Sequence, residues 1–179
     1  MKLLSSNENK IREFREILWE GIEIEKGRDL KEVDWTAKEV IVYKSLEAWK
    51  GYIVEDTIVK IGWKEMVDIR WNIEWLKEYI WDRIQCIVHL WYNTGSEIII
   101  YKWVVNGKVS TPLWRSWFWF DPFFIPEWEE RSLAQLAEDG LKHKFSARRI
   151  ALEKMACDDK EDLVQISTIW EWRWSYQKH

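Results

Sequence analysis

The spacing of apolar residues alternates between helical and strand-like periods along the chain, which is typical of an α/β protein. The opening segment "MKLLSS" predicts a short strand, and the apolar residues after it recur at helical spacing, namely Ile11, Phe14, Ile17 and Leu18. Ser6 or Asn7 is placed to cap that helix. Next, "IEIE" predicts a second strand, and "TAKEVIVYKSLEAW" predicts a second helix with Thr36 as its cap.

The middle of the chain contains its most apolar segments. "GYIVEDT" predicts a short buried strand that ends in two acids, Glu55 and Asp56. "WNIEWLKEYI" has the character of a helix. "RIQCIVHLWY" and "EIIIYKWVV" are rich in β-branched residues and are separated by "NTGS", which predicts a hairpin, and "GKVS" predicts a continuation of that sheet.

Two further helices are predicted towards the C-terminus. "RSLAQLAEDG" contains a capping box of Ser132 and Gln135 and ends at Gly140, and "SARRIALEKMA" predicts the last helix. Helices and strands that interleave first and are followed by a meander predict the α/β class with a mixed sheet. We expect one domain over residues 1–179, in which the tail 157–179 has no assigned element.

Composition and charge exclude several classes of protein. The 179 residues carry a net charge of −4 with a pI near 5.6, so no overall positive field attracts nucleic acid or anionic membranes. Two cysteines without metal-binding spacing, Cys86 and Cys157, favour a reducing compartment. The sequence has neither the pattern of a signal peptide nor an apolar run of about 18 residues. We therefore expect a cytoplasmic protein whose partners include neither nucleic acid nor membrane.

The commonest nucleotide-binding and hydrolase motifs are missing from the sequence. It has no GxxxxGK[ST] loop and no GxSxG motif, and its three histidines show no metal-ligand spacing. One candidate is the turn from strand to helix that carries Ser5, Asn7 and Lys10, because backbone N–H groups and a lysine favour an anion there. An ordinary capped helix has the same residues, so this stretch alone leaves both interpretations open.

Further candidates lie at the ends of predicted elements. Glu55 and Asp56 are paired carboxylates suited to hold Mg²⁺ and to orient a water molecule, although a solvated loop has the same composition. Lys44 lies late in a predicted helix, and "LKHKFSARR" gathers Lys142 and Arg148 in a basic segment. Taken singly these are ordinary surface residues, and the order in which they occur is more informative.

In that order the residues resemble the inosine triphosphate pyrophosphatase family, over roughly residues 1 to 156. The opening [ST]-x-N-x-x-K turn of the family is matched by Ser5, Asn7 and Lys10. An acidic loop and a helix lysine follow, matched by Glu32 and Lys44. The motif [ED]-D-[ST] appears as "VEDT", F-G-[FW]-D-P-x-F as "FWFDPFF", and S-H-R-x-x-A-L as "SARRIAL". The block around "FDP" is the most specific match.

This resemblance implies Mg²⁺-dependent hydrolysis of non-standard purine nucleoside triphosphates (ITP, dITP or XTP) between the α and β phosphates. It also implies a homodimer in which an elongated mixed sheet with helices around it forms two lobes that flank a nucleotide cleft. Catalysis is assigned to Asp56 and Glu32, and metal binding to Glu32, Glu55 and Asp56. The residues assigned to the substrate are Ser5, Asn7, Lys10, Lys44, Phe118, Phe120, Asp121, Lys142, Ser146 and Arg148.

Within that set the resemblance implies separate roles. The lysines and the opening turn hold the phosphates, Phe118 stacks on the base, and Asp121, Ser146 and Arg148 read its edge. A 6-keto purine presents an acceptor where adenine presents an amino donor, so an arginine donor discriminates between them.

Two departures from the family pattern keep alternatives open. Ala147 stands where the family has histidine, and the segment after "VEDT" lacks the long glycine–proline loop of the family. A catalytically silent relative is one alternative. Another is a non-enzymatic, tryptophan-rich module that binds glycans or a membrane surface, because the tryptophans of "WEWRW" alternate like a strand face.

Sixteen tryptophans against seven glycines is an abnormal pair of counts for a chain of this length. The tryptophans that stand where the family pattern has glycine are Trp35, Trp103, Trp114, Trp117, Trp119 and Trp128. Overpacking costs about 1–3 kcal/mol per site, so six such sites approach the whole stability of a domain, about 5–15 kcal/mol. We hypothesise that many of these codons are UGA, read as glycine by the source organism.

Overall fold

A computed structural model of the chain describes residues 1–17, 22–27, 30, 33, 36–67, 69, 73–112, 120–171, 173 and 175–176. The helices are α1 (Glu8–Ile17), α2 (Ala37–Ala48), α3 (Leu133–Glu138) and α4 (Ala147–Ala156). The strands are β1 (Lys2–Ser5), β2 (Glu23–Lys26), β3 (Tyr52–Ile61), β4 (Lys64–Met66), β5 (Arg83–Asn93), β6 (Glu97–Val109), β7 (Phe124–Pro126) and β8 (Asp162–Gln165). Short 3-10 helices cover Ile73–Tyr79, Asp121–Phe123, Lys142–Phe145 and Ile166–Thr168.

The described strands form an eight-stranded sheet with the order β2-β1-β3-β5-β6-β7, to which β4 adds beside β3 and β8 beside β6. β1 is parallel to both β2 and β3. The pairs β3–β4, β6–β7 and β6–β8 are antiparallel. Parallel and antiparallel pairs therefore occur in one sheet, and the predicted α/β class with a mixed sheet is confirmed.

Three helix starts follow from local capping, as the sequence predicts. The Asn7 side chain accepts hydrogen bonds from the backbone N–H groups of Asn9 (3.0 Å) and Lys10 (3.2 Å), so Asn7 caps α1. Thr36 before α2 and Ser132 before α3 each form a complete capping box with the residue three positions later. These side chains satisfy N–H groups that have no partner within the helix.

The predicted end of the strand at "VEDT" is wrong. β3 continues for four residues beyond Thr57, so Glu55 and Asp56 lie in the middle of the strand. The residues that follow, Ile58, Val59 and Ile61, are buried and apolar, which makes continued pairing favourable. The strand ends only at Gly62, whose φ of +58° begins the turn into β4.

Two other segments differ in detail from their predicted elements. "WNIEWLKEYI" forms a 3-10 helix over Ile73–Tyr79 rather than a longer α-helix. The C-terminal tail contains β8, which pairs with β6 in the register Ile98–Val164 and Ile99–Leu163.

Within the described residues, no helix has the length and apolar character needed to cross a membrane.

The chain divides into two compact units, and the first comprises Met1–Asp56, His89–Lys102 and Ala151–His179. Its core is a cluster of buried side chains: Leu30, Ile41, Val42, Ala48, Val54, Trp91, Ile98 and Ile100. Val164, Ile166 and Ile169 of the tail pack against this cluster, so the tail adds to the core.

The second unit comprises Thr57–Val88 and Trp103–Ile150. Its fully buried side chains include Leu76, Ile84, Phe124 and Leu136. One domain over residues 1–179 stays a prediction.

Candidate functional site

The predicted site residues fall into two groups, one in each unit. The first unit holds Ser5, Asn7, Lys10, Lys44, Glu55 and Asp56, and the second holds Phe120, Asp121, Lys142, Ser146 and Arg148. Glu32 and Phe118 lie outside the described residues.

The partly buried Lys10 forms an ion pair with the buried Glu55 in the first unit. The Lys10 ammonium lies 2.7 Å from Glu55 Oε2 and also donates to the Glu55 carbonyl oxygen at 3.3 Å. The two side chains are only 13% and 1% exposed. Removing one partner of such a pair leaves an uncompensated charge away from water, so the two residues are coupled. The sequence assigned Lys10 to phosphate and Glu55 to metal, and did not predict that they contact each other.

The turn before α1 is held by its own side chains. Ser5 Oγ accepts a hydrogen bond from the Asn7 N–H at 3.2 Å. The side-chain amide oxygen of Asn7 accepts hydrogen bonds from the backbone N–H groups of Asn9 and Lys10. A phosphate would compete with Asn7 for the last two donors. The side chains of Ser5 and Asn7 thus act first as caps, and their roles in substrate binding stay predictions.

The alternation of β3 separates its two acids. Successive side chains of a strand point to opposite faces of the sheet, so Glu55 and Asp56 do not face the same way. Glu55 is buried, whereas Asp56 is partly exposed. Lys44, in α2, is also partly exposed. Of the two acids, Asp56 is therefore the one that solvent and a solvated ligand reach.

The described residues contain no group of three or more His, Cys, Asp or Glu side chains arranged to hold a metal ion. Mg²⁺ is usually bound through one or two carboxylates together with substrate phosphates rather than by an all-protein cage. A partly exposed carboxylate at Asp56 fits that mode of binding. Glu32, the other predicted ligand, lies outside the described part of the chain.

Asp121 and Lys142 form a second ion pair, in the second unit. Lys142 Nζ lies 2.8 Å from Asp121 Oδ2, and the side chains are 17% and 5% exposed. The 3-10 turn that presents Asp121 is fixed by Ser110, whose hydroxyl donates to the Pro122 carbonyl at 3.0 Å and whose N–H donates to the Phe123 carbonyl at 2.7 Å. A predicted base-reading residue and a predicted phosphate-binding residue therefore contact each other.

Phe120 belongs to the core of the second unit. It is buried and packs edge-on against Phe124 with ring centroids 5.7 Å apart. Its packing supports the turn at Asp121, which follows it directly.

Arg148 is buried at the start of α4 and donates from Nη2 to the Thr57 hydroxyl at 2.8 Å. Ser146 caps the same helix, since its hydroxyl accepts from the Arg149 N–H at 3.3 Å. The sequence assigned no role to Thr57. Its place as the last residue of the "VEDT" motif is the feature that could have indicated one. Ala147, between Ser146 and Arg148, is buried and places no polar group at the position where the family has histidine.

Comparison with known proteins points to the same family as the sequence motifs. Residues 76–157 match the sequence model of the Ham1 family, a segment that includes Asp121, Lys142, Ser146 and Arg148. The inosine triphosphate pyrophosphatase of Pyricularia oryzae is 29% identical over 174 residues, which cover 87% of this chain and 90% of that protein. The resemblance of the chain to the inosine triphosphate pyrophosphatase family is confirmed.

Proposed function

We propose that this protein is a nucleoside triphosphate pyrophosphatase that hydrolyses non-standard purine nucleotides (ITP, dITP and XTP) to the monophosphate and pyrophosphate. The observation that carries the proposal is the occurrence, in a chain similar to the Ham1 family, of two buried carboxylates paired with partly buried lysines, and of a buried arginine, at the motif positions. Buried charges are costly and occur mainly where they are paired or functional.

The phosphate-binding role is proposed for Lys10 and Lys44, with the turn at Ser5 and Asn7 beside them. A triphosphate carries several negative charges, and each lysine supplies a compact cation for them. Lys10 is already positioned by Glu55, so its ammonium is held in place before the substrate arrives. Lys142, held by Asp121, is the corresponding cation in the second unit.

The metal role is proposed for Asp56, together with Glu32, and the expected ion is Mg²⁺. The ion, when bound, would neutralise phosphate charge and lower the pKa of a coordinated water. The part played by the chain is to present carboxylate oxygens, and Asp56 is exposed enough to do so. Glu55 supports the site indirectly, because its carboxylate holds Lys10.

The base-reading role is proposed for Arg148, Asp121 and Ser146, with Phe118 stacking on the ring. Arginine offers five N–H donors in a fixed fork and no acceptor. One of these donors is used by Thr57, which fixes the plane of the guanidinium. A donor held in this way donates to the 6-keto oxygen of hypoxanthine or xanthine and disfavours the 6-amino group of adenine, which is itself a donor.

Specificity is expected to depend on Thr57 as well as on Arg148. We expect ITP to be preferred over ATP at least about tenfold in kcat/KM, which corresponds to about 1.4 kcal/mol. Thr57→Val removes the hydroxyl that orients Arg148, so the preference should fall to a few-fold while the affinity for pyrophosphate stays the same. Thr57→Ser keeps the hydroxyl and is the matched control. An unchanged ITP/ATP ratio in Thr57→Val would show that this hydrogen bond does not set base choice.

The proposal as a whole is tested by measuring pyrophosphate release from a panel of triphosphates with Mg²⁺, Mn²⁺ or no added cation. Activity confined to non-standard purines and dependent on a divalent cation supports it. A silent relative, suggested by Ala147, would bind ITP and release nothing. A tryptophan-rich binding module, suggested by the tryptophans of "WEWRW" such as the exposed Trp170, would bind neither ITP nor the cation. The homodimer and the cytoplasmic location remain predictions.

A further inference from the structure

Among the non-glycine residues that the structure describes, four have a positive φ and three of these are tryptophans. Their φ values are 81° at Trp49, 73° at Trp81 and 69° at Trp128, and the fourth residue is Asp158 at 52°. Aspartate tolerates the left-handed region because its short side chain bonds locally. For a bulky aromatic residue the same region is a genuine outlier. The described part of the chain thus concentrates its unfavourable backbone conformations on one residue type.

Trp49 has the most restricted conformation of the three. It follows the last residue of α2, its N–H donates to the Leu46 carbonyl at 3.2 Å, and its φ and ψ are 81° and 169°. That combination is found essentially only at glycine, since a Cβ atom clashes with the backbone there. Gly51, two residues later, has a φ of +86° in the same turn.

Trp81 and Trp128 occupy the same position in two separate turns. The Asp82 N–H donates to the Tyr79 carbonyl at 2.9 Å, and the Glu129 N–H donates to the Pro126 carbonyl at 3.1 Å. Each tryptophan is therefore the third residue of a four-residue turn. A positive φ at the third position is the feature of a type II turn, for which glycine is the favoured residue.

The side chains of these tryptophans offer little burial that would offset the backbone strain. Trp49 is 74% exposed, Trp81 64% and Trp128 95%. A tryptophan usually stabilises a fold through the burial of its large apolar ring. At these three positions the chain has the backbone of a glycine and a side chain that lies largely in solvent.

We infer that positions 49, 81 and 128 are glycine in the natural protein, encoded by UGA codons that the source organism reads as glycine. The family pattern pointed to position 128, whereas positions 49 and 81 follow from the backbone alone. Recoding at these three positions alone changes the totals from sixteen tryptophans and seven glycines to thirteen and ten. Trp103 differs, since it lies inside β6 without a positive φ, and its backbone gives no reason for glycine. The inference is independent of the proposed function.

The gene and the natural protein test this inference directly. We expect UGA at codons 49, 81 and 128, and we expect tandem mass spectrometry of the protein from its source organism to find glycine at each position. UGG codons, or tryptophan in the corresponding peptides, would overturn it.

An unfolding experiment gives a second, independent test. Relief of backbone strain at Trp49→Gly, Trp81→Gly and Trp128→Gly should raise Tm by about 2–4 °C each, and by roughly 10 °C in the triple variant. The alanine variants at the same positions remove the ring but keep Cβ, so they should gain much less. Trp63→Gly is the matched control, because Trp63 is 86% exposed in a turn without a positive φ, and its Tm should not rise. Glycine variants no more stable than their alanine counterparts would contradict the inference.

Discussion

Asp56→Asn is expected to lower kcat for ITP by a factor of about 100 or more while leaving the fold intact. The change keeps the shape of the side chain and removes the charge that would hold the metal and orient water. Asp56 is partly exposed in the middle of β3, so water can solvate the amide of the variant there. Steady-state kinetics at saturating divalent cation measure the effect, and thermal unfolding checks the fold.

The matched control is Asp162→Asn, the same chemical change on the exposed strand β8. Asp162 pairs with Lys38 at 2.6 Å, and both side chains are about half exposed, so the pair contributes little. Activity within twofold of the parent is expected for this control. An Asp56→Asn enzyme that retained comparable activity would remove Asp56 from the catalytic site.

Replacement of Lys10 is expected to lower both the stability of the protein and its affinity for triphosphate. Lys10→Met leaves the carboxylate of Glu55 buried without its cation, which should lower the free energy of unfolding by about 3–5 kcal/mol. It also removes a charge-assisted contact to phosphate worth about 1.5–3 kcal/mol. The free energy of unfolding comes from denaturant titration, and Kd values for ITP and inosine come from calorimetry.

The double variant Lys10→Met, Glu55→Gln separates the two effects. Since it removes both charges of the Lys10–Glu55 pair, it should recover most of the lost stability, but it should still bind ITP weakly. Binding of inosine, which has no phosphate, should change little in either variant. Recovery of ITP affinity together with stability would show that Lys10 acts only through the fold.

The starts of the helices were predictable because each capping side chain and the N–H groups it contacts lie within a few residues of each other in the sequence. Asn7, Thr36 and Ser132 cap helices by contacts to N–H groups two or three positions away, and the sequence shows such pairs directly. The end of β3 was not predictable from the two acids. It depends on the burial of the residues beyond them, which is a tertiary property.

The motif positions of the candidate site were predictable, but the contacts between them were not. Lys10 and Glu55 lie 45 residues apart and the hydrogen bond from Arg148 to Thr57 joins residues 91 apart, so order alone does not show which groups meet. Phe120 illustrates the same limit, because the sequence alone does not distinguish an aromatic residue that stacks on a base from one that packs in the core. Its burial and its contact with Phe124 place it in the core of the second unit, and its role in substrate binding stays a prediction.

The most direct test of the proposed activity is analysis of the products formed from ITP by the protein purified from its source organism. Using that protein keeps the test independent of which residue stands at positions 49, 81 and 128. Chromatography and a pyrophosphate assay should find inosine monophosphate and pyrophosphate in equal amounts, formed only with a divalent cation. Release of inosine diphosphate and inorganic phosphate, or no hydrolysis of ITP, dITP or XTP, would contradict the account.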